Sequence, residues 1–397
     1  MIKKIASLIL FFFISNPAFT QSNIAKSVKV KSNGNLNSNI IFQKNDVISI
    51  SFDILGKKKS DYYYQIIHCD YQWNPSKISK FEYIDGFDDI RITNYFFSKN
   101  TFQSFTNFNF QIPNENLKIK IDGNYVIKIY DENYNEVLER KIIILNNPTN
   151  GLVNITRSKE ILDSSYSQNI QALFSNNNNI VFNNNSDYKL VIIKNNNLKS
   201  SKYFSSPRLQ TGSKIIYDNI KFKGGSEYLY FDSKNILTTS NEIRQVNFKN
   251  IYNTILYEDY EEYIYTLQPD LNGTYIINAN CTEKKTCADY SNVNFSLKTN
   301  KDHEYDIYVI GEFNDHEISE QYKMKKNKEN YYSLNIILKQ GLYNYKYVFK
   351  TNNGFEDLSN FWQTENNYKA ILYEKKITDR YYKIIGYGEK NSNNIVN

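Results

Sequence analysis

The sequence predicts an all-β protein built of consecutive antiparallel sandwiches, and three observations carry that expectation. Apolar and polar residues alternate with a period of two over many short runs rich in Ile, Val, Tyr and Phe. Asn, Gly and Asp bound those runs, so turns recur at short spacing. Few stretches between them have a 3.6-residue apolar period, which argues against parallel strands joined by helices.

Taken in order, the chain opens with MIKKIASLILFFFISNPAFTQS, which has the anatomy of a secretory signal peptide over residues 1–20. Lys3 and Lys4 are the basic start, and Ile5 to Ile14 the short apolar run. Asn16 and Pro17 break it, and Ala18-Phe19-Thr20 offers a cleavage site. That run is shorter than the ~20 residues a membrane span needs. No cysteine follows it to carry a lipid anchor. Alternation then marks strands at DVISISFDI (Asp46 to Ile54), YYYQIIHCD (Tyr62 to Asp70), GNYVIKIY (Gly123 to Tyr130) and VLERKIIIL (Val137 to Leu145). DYKLVIIK (Asp187 to Lys194), EYLYFD (Glu227 to Asp232), GTYIINA (Gly273 to Ala279) and NVNFSL (Asn292 to Leu297) continue the pattern. YDIYVIG (Tyr305 to Gly311), YSLNIIL (Tyr332 to Leu338) and YNYKYVFK (Tyr343 to Lys350) complete it. One short helix is expected in PSKISKFEYI (Pro75 to Ile84), with Asn74 as its cap and Pro75 opening it. Boundaries fall at NNPTNG (Asn146 to Gly151) and near QPDLNG (Gln268 to Gly273). They divide the chain into 25–147, 148–270 and 271–397, each about the size of an immunoglobulin-like sandwich.

Composition excludes more than it specifies. A chain of 397 residues, 41% hydrophobic and 16% aromatic, has ample material for packed cores. Its net charge of +6 becomes +4 once Lys3 and Lys4 are removed. Lys, Asn, Ile, Tyr and Phe all have A/T-rich codons, so a basic pI here is no sign of nucleic-acid binding, which needs a clustered stripe. The basic run Lys57 to Lys59 sits in a turn, and the Asn clusters at 176–179, 183–185 and 195–197 read as solvated loops. Of three cysteines, Cys281 and Cys287 can pair across a short loop in an exported chain, leaving Cys69 odd.

His68, Cys69 and Asp70 are residue types that perform nucleophilic and metal chemistry elsewhere. On a strand, however, His68 and Asp70 share one face and Cys69 points to the other. Three such neighbours do not form a nucleophile, base and orienter. The remaining histidines, His303 and His316, lie in another segment. No nearby cluster completes a zinc tetrahedron. The Gly224-Gly225 pair stands alone in a turn, and nucleophile-elbow and metalloprotease signatures are missing. The expectation is a protein without catalytic residues, cofactor or metal.

HCDYQWNPSKISKFEYIDGFDDIRITNYFFSKNT (His68 to Thr101) and NFQIPNENLKIKIDGNYVIKIYDENYNEVLERKIIIL (Asn109 to Leu145) resemble the N-terminal domain of the plug protein family of the type IX secretion system of Bacteroidota. KGGSEYLYFDSKNI (Lys223 to Ile236), ADYSNVNFSL (Ala288 to Leu297), LKQGLYNYKYVF (Leu338 to Phe349) and WQTENNYKAILYEKKITDRYYKIIGY (Trp362 to Tyr387) are similar to later parts of that family. In KGGSEYLYFD, Ser226 and Tyr228-Leu229 depart from the family pattern. The resemblance implies a periplasmic protein associated with the outer membrane. Its partner would be a giant outer-membrane β-barrel translocon, whose periplasmic mouth it seals when no substrate is passing.

Residues 305–349 also resemble glycogen-binding, early-set immunoglobulin-like modules, which supports a sandwich. His316 stands where those modules place a Trp, so carbohydrate binding, an alternative that would lean on Tyr343 and Tyr345, loses its flat platform. For the partner surface the candidates are the loop aromatics Trp73, Tyr83 and Phe87, with Trp362 and Tyr368 near the last hairpin.

Overall fold

Every run read as a strand from its alternation contains one, because alternation lets one face enter a core while the other stays polar. The computed structural model describes residues 25–32, 39–57, 60–175, 182–183, 185–262, 264–352 and 354–393. The expected leader, Lys58, Lys59 and the Asn cluster at 176–179 lie outside them. Among the described residues the protein is all-β, with helical turns only at Lys80–Tyr83, Lys284–Cys287, Glu312–Asn314 and Glu320–Tyr322.

The first body packs two sheets over one core. Lys26–Ser32, Ile48–Leu55, Phe105–Ile112 and Tyr95–Phe97 form one sheet. Ile41–Gln43, Glu136–Leu145, Gly123–Asp131, Tyr62–Cys69 and Ile90–Arg91 form the other. Ile48, Ile50 and Phe52 of the first meet Tyr62, Tyr64, Ile66, Tyr125 and Ile127 of the second. All pairings are antiparallel except Ile41–Gln43 beside Glu136–Leu145.

Strand pairing then cuts across the expected segments. The last hairpin, Asn367–Lys375 and Lys383–Asn391, does not complete the third segment. It enters an eight-stranded central sheet between Asp187–Lys194 and Thr149–Arg157. Conversely, Leu229–Asp232 and Ile243–Phe248, expected in the middle segment, leave it for the third body. There they join strands centred on Gly341–Thr351 and Tyr290–Lys298. Period-two alternation says which residues face inward and nothing about which strand lies alongside.

The expected helix also moves. It occupies Lys80–Tyr83, and the carboxylate of Glu82 accepts the Ser79 N–H at 2.9 Å, so Ser79 opens it instead of Asn74. Asn74 is held by the preceding turn, where Asp70 Oδ1 accepts its main-chain N–H at 3.0 Å.

Three seams join the bodies. Between the first body and the central sheet lies a second apolar core of Ile41, Ile143 and Leu145 against Val191, Ile193, Ile371 and Tyr373. Tyr373 Oη donates through that core to Asn124 Oδ1 at 2.7 Å. Between the central sheet and the third body, the Gly224-Gly225 turn meets the chain at Phe361 to Asn366. Thr364 Oγ1 donates to Gly225 O at 2.6 Å and Asn366 Nδ2 to Gly224 O at 2.9 Å. A Cβ on Gly224 would collide with the Phe361 carbonyl, and Gly225 has φ +80°. Close approach, not phosphate binding, explains that pair.

The third seam, between the first and third bodies, is ionic. Lys339 Nζ reaches Asp53 Oδ2 at 2.7 Å, with both side chains buried. Tyr290 Oη donates to the same oxygen at 2.7 Å and Asn107 Nδ2 to Asp53 Oδ1 at 2.7 Å. Lys339 also donates to Lys285 O at 2.7 Å, inside the loop closed by the Cys281–Cys287 disulfide. Breaking such a pair from one side strands a buried charge, at a cost of about 3–5 kcal/mol. Lys339→Met should therefore lower the midpoint of urea unfolding, and Asp53→Asn combined with Lys339→Met should recover part of the loss. A single variant with the wild-type midpoint would remove this pair from the account.

Candidate functional site

The His-Cys-Asp run is divided among three structural tasks. His68 faces the first core, where its Nδ1 pairs with Ser76 Oγ at 2.8 Å and its Nε2 with Asp122 O at 3.2 Å. Tyr125 and Tyr381 pack edge-on against the ring at 5.1 and 5.2 Å. Gly123, at φ +139°, leaves the room that this imidazole fills. Burial pulls the His68 pKa down to about 4, so the ring is neutral at pH 7. Cys69 points to the opposite face. Burial first, then Asp70, push its thiol up to about 11, far from the depressed range of reactive cysteines. Asp70 turns the chain, accepting the N–H groups of Gln72 and Asn74 at 2.8 and 3.0 Å. These three residues form no nucleophile–base contact with one another. Among the described residues, no group of three or more His, Cys, Asp or Glu is placed to hold a metal ion.

The five candidate partner residues separate by burial. Tyr83 and Tyr368 are 4% and 0% exposed and lie in two different cores, so neither presents a surface to a partner. Tyr368 Oη donates to Gln168 Oε1 at 2.7 Å. Trp73, at φ +71°, leans on the apolar seam between the first body and the central sheet. Trp362 lies under Arg157, whose guanidinium is 4.8 Å from the ring centre, and its carbonyl accepts Gln168 Nε2 at 2.7 Å. Phe87 alone is fully presented, at 72% exposure. Tyr343 and Tyr345, the platforms of the carbohydrate alternative, are 1% and 3% exposed.

Sequence reasoning missed two further exposed apolar residues on segments tied to the Phe87 loop. Phe81, on the helical turn, and Ile377, at the bend of the last hairpin, are 78% and 88% exposed. An ion pair between Lys80 and Asp88 ties the turn to the Phe87 loop. Arg380 grips both oxygens of Glu82 at 2.9 Å and brings the hairpin bend to the same place. Phe81, Phe87 and Ile377 are thus exposed on segments that two ion pairs hold together. The helix period offered a signal: in one turn only Tyr83 can face inward, which leaves Phe81 outside.

Titration and labelling check these assignments. With ¹³C-labelled histidine, the His68 and His316 resonances should stay in the neutral position until pH falls to about 4, because burial lowers both. The unfolded chain binds those protons from about 6.5 downward, so these two groups make stability fall as pH drops from 6.5 toward 4. A midpoint near 6.5 for either would contradict the burial. Iodoacetamide at pH 8 should leave native Cys69 unmodified and label it once urea unfolds the chain; rapid native labelling would point to a reactive thiol.

Residues 25–146 match the family model described as Type 9 secretion system plug protein 1st domain. A crystal structure of a hypothetical protein from Parabacteroides merdae is similar over 93% of this chain and 98% of its own, with a TM-score of 0.87 and 25% sequence identity. No curated protein matches. The body that carries Phe81, Phe87 and the His-Cys-Asp strand is thus the one that matches a plug-protein family model.

Proposed function

We propose that the protein is a non-catalytic periplasmic plug, which binds the giant outer-membrane β-barrel translocon of type IX secretion and seals it while no substrate is exported. The match of residues 25–146 to the plug family carries this reading. The disulfide between Cys281 and Cys287 suits an oxidising compartment outside the cytoplasm. Blocking a hole requires a body that does not deform, and the apolar, glycine-turn and ionic seams supply that stiffness. The Phe81–Phe87–Ile377 surface is the face we assign to the partner.

Capture of outer-membrane complexes with the tagged protein tests the reading. A large barrel protein should be recovered, and Phe81→Asp with Phe87→Asp should reduce that recovery about tenfold without moving the urea midpoint. Recovery of no barrel by the unmodified protein, or an equally leak-tight envelope in cells lacking it, would sink the proposal.

A further inference from the structure

The ionic seam does not close along its whole length. Apart from a cavity of about 480 Å³ at the junction of the three bodies, an open cleft of about 790 Å³ lies between the first body and the third. That volume falls within the ~300–1,000 Å³ of ordinary ligand pockets. Its floor is the polar face of the first sheet. Ser49, Ser51 and Asp53 alternate with the core residues Ile48, Ile50 and Phe52, so they face outward together. The strand register sets Lys31, Ser49 and Gln111 in one row and Lys29, Ser51 and Asn109 in the next. The third body covers this face at Asp53 and Lys29, and beyond them Lys31 and Ser49 are half-buried and Gln111 is exposed.

Charge in the cleft is unbalanced. Three of its cations are engaged: Lys29 with Glu312 at 3.1 Å, Lys339 with Asp53 at 2.7 Å and Arg91 with Asp61 at 2.6 Å. Lys31, Lys284 and Lys285 form no ion pair among the described residues, and Glu115 is the one lining acid left to offset them. Lys284 and Lys285 are exposed, on the loop that the Cys281–Cys287 disulfide closes. Thr286 pins that loop to the first body, its carbonyl accepting the Lys99 N–H at 2.9 Å. Like charges fixed along one cleft raise its potential and draw an anion into it.

The main chain beside the lysines selects the kind of anion. Tyr275–Ile277 is the outer strand of its sheet, bonded to Gly341–Thr351 alone. Thr274 and Asn278 turn toward that neighbour, the Thr274 carbonyl accepting the Asn344 N–H and the Asn278 N–H donating to Gln340 O, both at 3.1 Å. The residues between alternate, so Tyr275 and Ile277 turn their main-chain groups away. Those of Tyr275 are taken by Glu312 and Lys29. Ile277, next along that edge, lines the cleft, and extended peptides add to such edges. Other anions fit less well. The acyl chains of a lipid would lie on the polar rows of the floor. A saccharide would find only Tyr64, which is 1% exposed, and Phe110, whose ring is stacked on it at 4.2 Å. We propose that this cleft binds an extended, acidic polypeptide segment of a partner protein. Its main chain pairs with Ile277 and its carboxylates meet Lys31, Lys284 and Lys285. This site goes beyond the plug reading and does not depend on it.

Fluorescence anisotropy of a fluorescein-labelled peptide of alternating Glu and Val, titrated with the purified full chain at low salt, tests the site. Binding should saturate and weaken as salt is added. Lys284→Glu with Lys285→Glu should weaken it about tenfold, and so should Lys31→Glu. Lys214→Glu with Lys249→Glu makes the same change in net charge on exposed lysines elsewhere and should leave the affinity unchanged. The two cleft variants alter separate elements, so one decides if the other fails to fold. Methylating the main-chain nitrogens of the peptide should abolish its binding. A peptide that does not bind, or binds equally well to both cleft variants, overturns the proposal. An equal loss in the Lys214 and Lys249 variant does so too, because the attraction would then be general. So does full binding of the methylated peptide, which would leave no role for the strand edge. Displacement of the peptide by an equal concentration of inorganic phosphate would make this a small-anion site, and displacement by phosphatidylglycerol vesicles a lipid site; either result overturns the polypeptide assignment.

Discussion

The relative placement of the bodies depends on a carboxylate with no water around it. Asp53 is 0% exposed, and removing such a charge from solvent is tolerable only when nearly every lone pair is matched. Lys339, Tyr290 and Asn107 do the matching, and two of the three come from the far side of the seam. An apolar interface can slide by an ångström at little cost. This one cannot, because a small displacement would expose an ion to a dry interior without its partner. The disulfide-closed loop adds to the constraint by offering the Lys285 carbonyl to the same ammonium.

The pattern repeats at lower intensity. Lys29 reaches across from the first body to Glu312 at 3.1 Å. Within the third body, Lys346 binds Asp357 at 3.0 Å and the Ser226 carbonyl beside the glycine turn at 2.5 Å. Burial works against that ammonium, yet Asp357 and its other neighbours together raise its pKa above the ordinary lysine value. Tyrosine serves the same economy. Tyr275, Tyr290 and Tyr373 bury a ring in one body and spend the hydroxyl on another. Part of the abundance of Tyr thus serves to join the three bodies.

Local patterns in the sequence foretold local structure and little beyond it. Strand runs such as DVISISFDI and YNYKYVFK were legible because burial of one face imposes alternation. The destination of the last hairpin was not, since its insertion between Asp187–Lys194 and Thr149–Arg157 depends on pairings such as Asp187 with Lys375 and Thr149 with Gly386, far apart in the chain. Face arguments served His68 and Cys69 well, because strand geometry sends them in opposite directions whatever the fold. They could not reveal that the central body covers the outer face, which is why Cys69 is buried as deeply as His68. Aromatic identity was the poorest guide. Tyr83 and Phe87 looked alike in sequence, yet Tyr83 turns inward from its helical turn while Phe87 lies exposed in the loop beyond it.

The exposed patch and the junction cavity depend differently on how the bodies are placed. Phe81, Phe87 and Ile377 project from two bodies that Arg380 and Glu82 already clip together, so a partner covering them gains contact without reordering anything. The cavity is different, because its walls belong to all three bodies. Any motion that opened the Asp53 seam would pull Val28 and Val30 away from Thr274 and His316, destroying the cavity while leaving the patch whole. The shape of the cavity and the integrity of the ionic seam are therefore coupled by geometry, whereas the exposed residues are not.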